Sequence, residues 1–170
     1  MDLRQRIRDV PDFPEPGIVF KDITPLLQDP VAFRQAIFEL SERFARERID
    51  VVVGIEARGF LFGAPLALNF DAPFVPIRKK GKLPHKTVGV TYSLEYGDAA
   101  VEMHQDAVMP GKRVLIVDDV LATGGTMAAA RALVEQVKGE VVALAVLVEL
   151  EFLKGREKLE GAETFSLIKY

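Results

Sequence analysis

The sequence predicts an α/β fold, a mainly parallel sheet flanked by helices, on two observations. Short apolar runs rich in β-branched residues at 51–55, 74–77, 114–117 and 141–148 alternate with segments of helical periodicity at 29–48, 60–69 and 126–137. The runs at 51–55 and 141–148 are continuously apolar, as expected of strands covered on both faces, and strand–helix–strand alternation implies parallel neighbours joined by right-handed crossovers.

Residues 1–28 form a Pro-rich leading segment punctuated by Pro11, Pro14, Pro16, Gly17 and Pro25. Asp29 is a good N-cap and Pro30 suits the first helical position, and Phe33, Ile37, Leu40 and Phe44 then recur at helical spacing, predicting a helix to about 48. The strand at 51–55 is followed by the turn Glu56-Ala57-Arg58-Gly59 and a helix over 60–69. The strand at 74–77 leads into the basic run Arg78-Lys79-Lys80-Gly81-Lys82, with His85 and Lys86 beyond it. Residues 88–96 and 99–103 flank Gly97-Asp98, which reads as a hairpin-like excursion. Pro110-Gly111 introduces the strand at 114–117. Next come Asp118-Asp119, a short loop to Gly125, a helix over 126–137, and the buried strand at 141–148.

A chain of 170 residues fits one domain, 1–170, with 49% apolar and 28% charged residues, an ordinary globular profile. It has no Cys, which excludes disulfides, thiolate nucleophiles and Cys-based zinc sites and suits a reducing, cytoplasmic setting. The longest apolar runs fall short of the roughly 18 to 20 residues that span a bilayer, so no membrane partner is expected. The apolar residues among the first ten alternate with charges, unlike a signal peptide. A net charge of −3 offers nucleic acid no global attraction, so anion binding requires a local cluster.

The strongest such cluster is Val114-Leu115-Ile116-Val117-Asp118-Asp119-Val120-Leu121-Ala122-Thr123-Gly124-Gly125-Thr126. A strand ending in acids, then small residues, then a helix start gathers free backbone N–H groups and two hydroxyls at the positive end of a helix. Gly124 and Gly125 let the backbone approach a phosphate closely, and Thr123 and Thr126 can donate from their side chains. No Lys follows the glycines, so this is not a Walker loop. Adjacent carboxylates beside an anion cradle repel it and each other unless ribose hydroxyls or a hydrated Mg²⁺ engage them.

This stretch resembles the phosphoribosyl pyrophosphate signature of the type I phosphoribosyltransferase family, and its wording is closest to the adenine-using branch. Further segments resemble that branch in order: Pro11 to Pro14, Pro16 to Leu27, Glu56-Ala57-Arg58-Gly59-Phe60, Arg78 to Pro84, Tyr92 to Gly97 and Lys154-Gly155-Arg156. The resemblance implies the type I fold with a small N-terminal hood (1–28) and a mobile lid (83–97), a Mg²⁺ requirement and a homodimer. By the same resemblance Arg58 and Gly59 bind pyrophosphate, Arg78, Lys79 and Lys82 add positive charge there with His85 a further candidate, and Asp118 and Asp119 hold ribose and hydrated metal. Ala122, Thr123, Gly124, Gly125 and Thr126 hold the sugar's phosphate. Glu95 gives electrostatic stabilisation or positions the base. The purine lies against Val19, Phe20 and Lys21, stacked near Phe20 and read by backbone groups; the family commonly has Arg where this chain has Lys21. Two alternatives stay open at this stage: transfer to hypoxanthine, guanine or xanthine, and a non-catalytic regulator of the same fold that senses phosphoribosyl pyrophosphate.

Overall fold

The computed structural model describes residues 1–94 and 97–170. A seven-stranded sheet organises them. In chain order the elements are a hairpin of β1 (Arg8–Pro11) and β2 (Val19–Asp22), then α1 (Thr24–Gln28), α2 (Pro30–Arg43), β3 (Val51–Ile55), α3 (Gly59–Asn69) and β4 (Phe74–Lys79). The edge strands β5 (Thr87–Ser93) and β6 (Asp98–His104) precede β7 (Arg113–Leu121), α4 (Gly125–Gln136), β8 (Glu140–Glu149) and β9 (Thr164–Lys169). The order across the sheet is β5-β6-β4-β3-β7-β8-β9, with β4, β3, β7, β8 and β9 parallel and β6 antiparallel to both β4 and β5.

Period-two alternation divides β7 between two cores. Leu115 and Val117 face α1, α2 and α3, packing with Leu40, Phe44, Phe62 and Leu66, whereas Val114 and Ile116 pack with Met127, Ala130 and Leu133 of α4. Covered on both sides, β3 is buried at every position, which explains its continuously apolar text.

Asp29 caps α2 by accepting from the Val31 and Ala32 N–H groups, and Pro30 opens the helix. The helix ends at Arg43, short of the expected 48. Phe44 turns fully into the core, edge-to-face on Phe165, and Arg48 pairs with Asp50, whose carboxylate also accepts from Arg113 N–H and fixes the approach to β3. A second correction concerns the end of β7: the strand read over 114–117 and its two acids runs on to Leu121, because Val120 and Leu121 keep their pairing with Val148 and Glu149 of β8.

Candidate active site

A cavity of about 620 Å³ opens beyond the carboxyl ends of β3 and β7, where ligands bind in parallel α/β sheets. The N-terminal hairpin lines it with Val19, Phe20 and Lys21, and Glu56, Ala57, Arg58, Lys79 and Lys82 line it from the turn after β3 and from the end of β4 and the turn beyond. Asp118, Asp119, Ala122 and Thr126 form the floor, and Leu150 and Leu153 close the apolar end.

Phe20 belongs to this cavity and not to the core; its ring meets Phe13 edge-to-face at 5.2 Å, and the Arg58 guanidinium lies 5.5 Å from its centroid. The Lys21 side chain is turned aside, its Nζ 2.6 Å from Asp9 Oδ1 and 4.0 Å from the Tyr170 ring centroid. Its ammonium is thus engaged by Asp9 and Tyr170.

The cations are held by carboxylates. Arg58 Nε donates to Asp119, a residue only 5% exposed. Glu56 accepts from Lys82 Nζ at 2.8 Å, Lys79 N–H at 2.9 Å and Arg78 Nη2 at 3.1 Å. Lys82, ahead of the Lys79 amide and Arg78, pulls the Glu56 carboxyl down to about 2, so it is ionised throughout the neutral range. The basic run is thus folded onto the site. Lys79 and Lys82 face the cavity, while Arg78 backs Glu56. His85 does not reach the cavity; it stands outside, near His104 and 3.8 Å from Asp106, because the chain turns outward into β5. Glu95 lies outside the described residues.

A smaller concavity lined by Asp118 and residues 120–127 contains Thr123, Gly124 and Gly125. Gly124 caps α4 in the left-handed region at φ +84°, with no side chain on the first N–H groups, which leaves those donors for a ligand. Above this turn Tyr92 of β5 packs on Gly125, and its hydroxyl lies 3.0 Å from Thr126 Oγ1. Gly59 has a packing role: a Cβ there would stand 2.9 Å from both Val117 O and Asp118 Oδ1, so glycine lets α3 approach β7. Leu150, Leu153, Tyr92 and Gly155 escaped the residue-level reading. The resemblances at Tyr92 to Gly97 and at Lys154-Gly155-Arg156 contain Tyr92 and Gly155 but imply no role for either.

Burial, then the adjacent Asp119 charge, pushes the Asp118 carboxyl well above the usual range. The folded protein therefore holds this proton more tightly than the unfolded chain, and the associated stability, complete below the unfolded value near 3.8, is lost as pH rises through the raised one. Asp118→Asn keeps an acceptor for the Asp119 N–H, now 2.9 Å from Asp118 Oδ1. We expect it to melt higher than wild type at pH 8, by a margin that shrinks at pH 5, while sugar-phosphate affinity falls. Melting curves at the two pH values check this; a lower melting temperature at both would make Asp118 a structural cap.

Residues 25–164 match the family described as phosphoribosyl transferase domain, and the chain belongs to that family. Several of its relatives carry one name. Adenine phosphoribosyltransferase from Kosmotoga olearia is 57% identical over all of both chains, and that from Thermobifida fusca is 60% identical over 95% of this chain and 92% of its own. The crystal structure of adenine phosphoribosyltransferase from Thermoanaerobacter pseudethanolicus superimposes with a TM-score of 0.97 at 51% identity, covering 99% of this chain and 98% of that one. The Saccharomyces cerevisiae enzyme, complexed with an imino-altritol bisphosphate and adenine, gives 0.92 at 44%, covering 98% and 96%.

Proposed function

We infer that the protein transfers the 5-phosphoribosyl group of phosphoribosyl pyrophosphate to adenine, giving AMP and pyrophosphate, a purine-salvage reaction. One observation carries this reading: a single cavity joins an apolar, aromatic wall at Phe20 and Leu153 to a cation-lined side at Arg58, Lys79 and Lys82, over the Asp118–Asp119 floor. The wall suits a purine. The cations suit a pyrophosphate, the floor a ribose, and the turn at 122–126 a terminal phosphate.

A ring nitrogen of adenine forms a bond to the anomeric carbon as the carbon–oxygen bond to pyrophosphate breaks, its electrons leaving with pyrophosphate, and the ring N–H proton of adenine is released to the departing pyrophosphate or to water. Negative charge grows on the leaving group, so Arg58, Lys79 and Lys82 stabilise the transition state more than the ground state. Binding pyrophosphate means exchanging Glu56 for phosphate oxygens at Lys82. Positive charge grows on the ribose, where Asp118, Asp119 and Glu95 supply compensating carboxylates. The segment 83–97 serves as a lid that excludes water from the oxocarbenium-like centre.

Among the described residues no group of three or more His, Asp or Glu side chains could cage a metal. The Asp118–Asp119 pair fits Mg²⁺, which keeps several waters and is shared between one or two carboxylates and substrate phosphates. Asp118 and Asp119 would hold such an ion, and it would supply positive charge to the departing pyrophosphate.

We read the protein as a cytoplasmic homodimer. Val31 and Phe38 of α2 and Leu61 and Leu68 of α3 are exposed apolar side chains on neighbouring helices, a surface suited to a second copy of the chain.

The deciding experiment is incubation with Mg²⁺, phosphoribosyl pyrophosphate and each of adenine, hypoxanthine, guanine and xanthine in turn. AMP formed from adenine is the expected result; nucleotide from none of the four would leave a sensing role.

Arg58→Ala is expected to lower turnover by about 10², the low end for losing one electrostatic donor because Lys79 and Lys82 remain, and to change adenine affinity little. Its partner Asp119 is left buried and unpaired, so the melting temperature falls as well. Turnover, adenine affinity and melting temperature on one preparation check this; unchanged turnover with a lowered melting temperature would reduce Arg58 to a structural ion pair.

A further inference from the structure

We propose that Arg156 is a positioning residue for the phosphate turn: its guanidinium, locked on Glu149, presses the Gly155 peptide against Ala122 and Gly124. The inference rests on the reading of residues 122–126 as a phosphate cradle.

Backbone meets backbone at this contact. A Cβ built on Gly155 would stand 2.3 Å from Ala122 O and 3.1 Å from Gly124 N, and one built on Gly124 would stand 2.3 Å from Gly155 O. Two peptide segments far apart in sequence approach so closely that neither admits a side chain. The back of the cradle is therefore supplied by the short helical turn Gly155–Leu159, and the cradle keeps its shape only while that turn stays seated.

Arg156 seats it. Nε donates to Glu149 Oε1 at 2.6 Å and Nη2 to Oε2 at 2.7 Å, a bidentate pair on a carboxylate only 3% exposed at the end of β8. Nη1 donates to Thr164 O at 2.8 Å, and Nη2 lies 3.2 Å from Ser166 Oγ, tying the same guanidinium to β9. The Ser166 hydroxyl also donates to Glu149. Arg156, more than Ser166, holds the Glu149 carboxyl below its ordinary range, so the pair is ionised at neutral pH. Just before it Lys154 adopts φ +54°, a conformation a non-glycine residue keeps only where its surroundings impose it. The constraint runs from the parallel sheet through Glu149, Arg156 and Gly155 to the Gly124 amide. None of these side chains lines the main cavity, so the effect on ligand is indirect.

The test is calorimetric titration of ribose 5-phosphate and of pyrophosphate, each with Mg²⁺, into wild type, Gly155→Ala, Arg156→Lys and Arg156→Met paired with Glu149→Gln; the pairing avoids an unpaired buried carboxylate. We expect ribose 5-phosphate affinity to fall at least tenfold in Gly155→Ala and in the paired variant, pyrophosphate affinity to stay within about twofold, and Arg156→Lys to recover part of the loss. Equal losses for both ligands would show a merely structural role and overturn the proposal, as would unchanged ribose 5-phosphate affinity in Gly155→Ala. Wild type that fails to bind ribose 5-phosphate would overturn the phosphate reading of the cradle itself.

Discussion

Replacing Gly124 by Val is expected to abolish phosphoribosyl pyrophosphate binding, a loss of at least about 10² in affinity, through two costs that act together. The left-handed conformation at φ +84° is poor for any L side chain and worst for a β-branched one, about 1–2 kcal/mol before any contact is counted. The first side-chain carbon would then stand 2.3 Å from Gly155 O, closer than any real contact, and the atom in the way belongs to a backbone pinned by its neighbours. The sequence alone suggests that a side chain at 124 would obstruct the phosphate and strain the turn. The geometry changes that reason: the clash is behind the turn, against Gly155, and affinity is lost because the amides of the cradle are displaced. Titration with the sugar pyrophosphate, beside a circular dichroism melt showing the variant folded at the assay temperature, checks this; normal binding would remove Gly124 from the cradle.

That difference between reason and residue shows where the sequence is legible. Asp29, Pro30 and the spacing of Phe33, Ile37 and Leu40 announce α2 because capping and amphipathicity are local. The apolar runs announce β3, β7 and β8 because both faces are covered, and the Gly-Gly turn announces the cradle because its chemistry lies within a few residues. What depends on distant partners is not written locally. The β1–β2 hairpin is hidden among prolines, and it forms because Arg8 to Pro11 find Asp22 to Val19 in register. β9 joins the sheet only where β8 offers an edge. Asp118 and Asp119 read as the end of a strand because acids seldom continue a buried one; pairing with β8 and the Arg58 ion pair carry β7 through them to Leu121 here. His85 follows a basic run whose Lys79 and Lys82 line the cavity, yet the outward course of the chain removes it from there. Gly155 and Arg156 matter through shape against Gly124, which no periodicity records.

Adenine is expected to be used over hypoxanthine by about 10⁴ in kcat/KM, the discrimination available to a site built to hydrogen-bond one edge of a ligand and left with an unpaired buried group by the other. β2 supplies such an edge. In the two-stranded sheet β1 covers only one side of it, and Ile18 O accepts from Phe13 N–H on that side. Backbone groups of successive strand residues alternate in direction, so Phe20 shares the β1 side, and the N–H and C=O of Val19 and Lys21 turn toward the free edge. A purine packed near Phe20 would meet a carbonyl and an amide fixed in place. An exocyclic amine gives the carbonyl a donor; a 6-oxo group faces it with a second acceptor, losing the bond and leaving the carbonyl desolvated. The strand is held still by the Lys21 contacts to Asp9 and Tyr170, so it has little freedom to turn a different group toward the wrong base. Initial rates with each base at saturating phosphoribosyl pyrophosphate and Mg²⁺ give the two specificity constants, and values within tenfold of each other would show that the base is chosen by something other than the edge of β2.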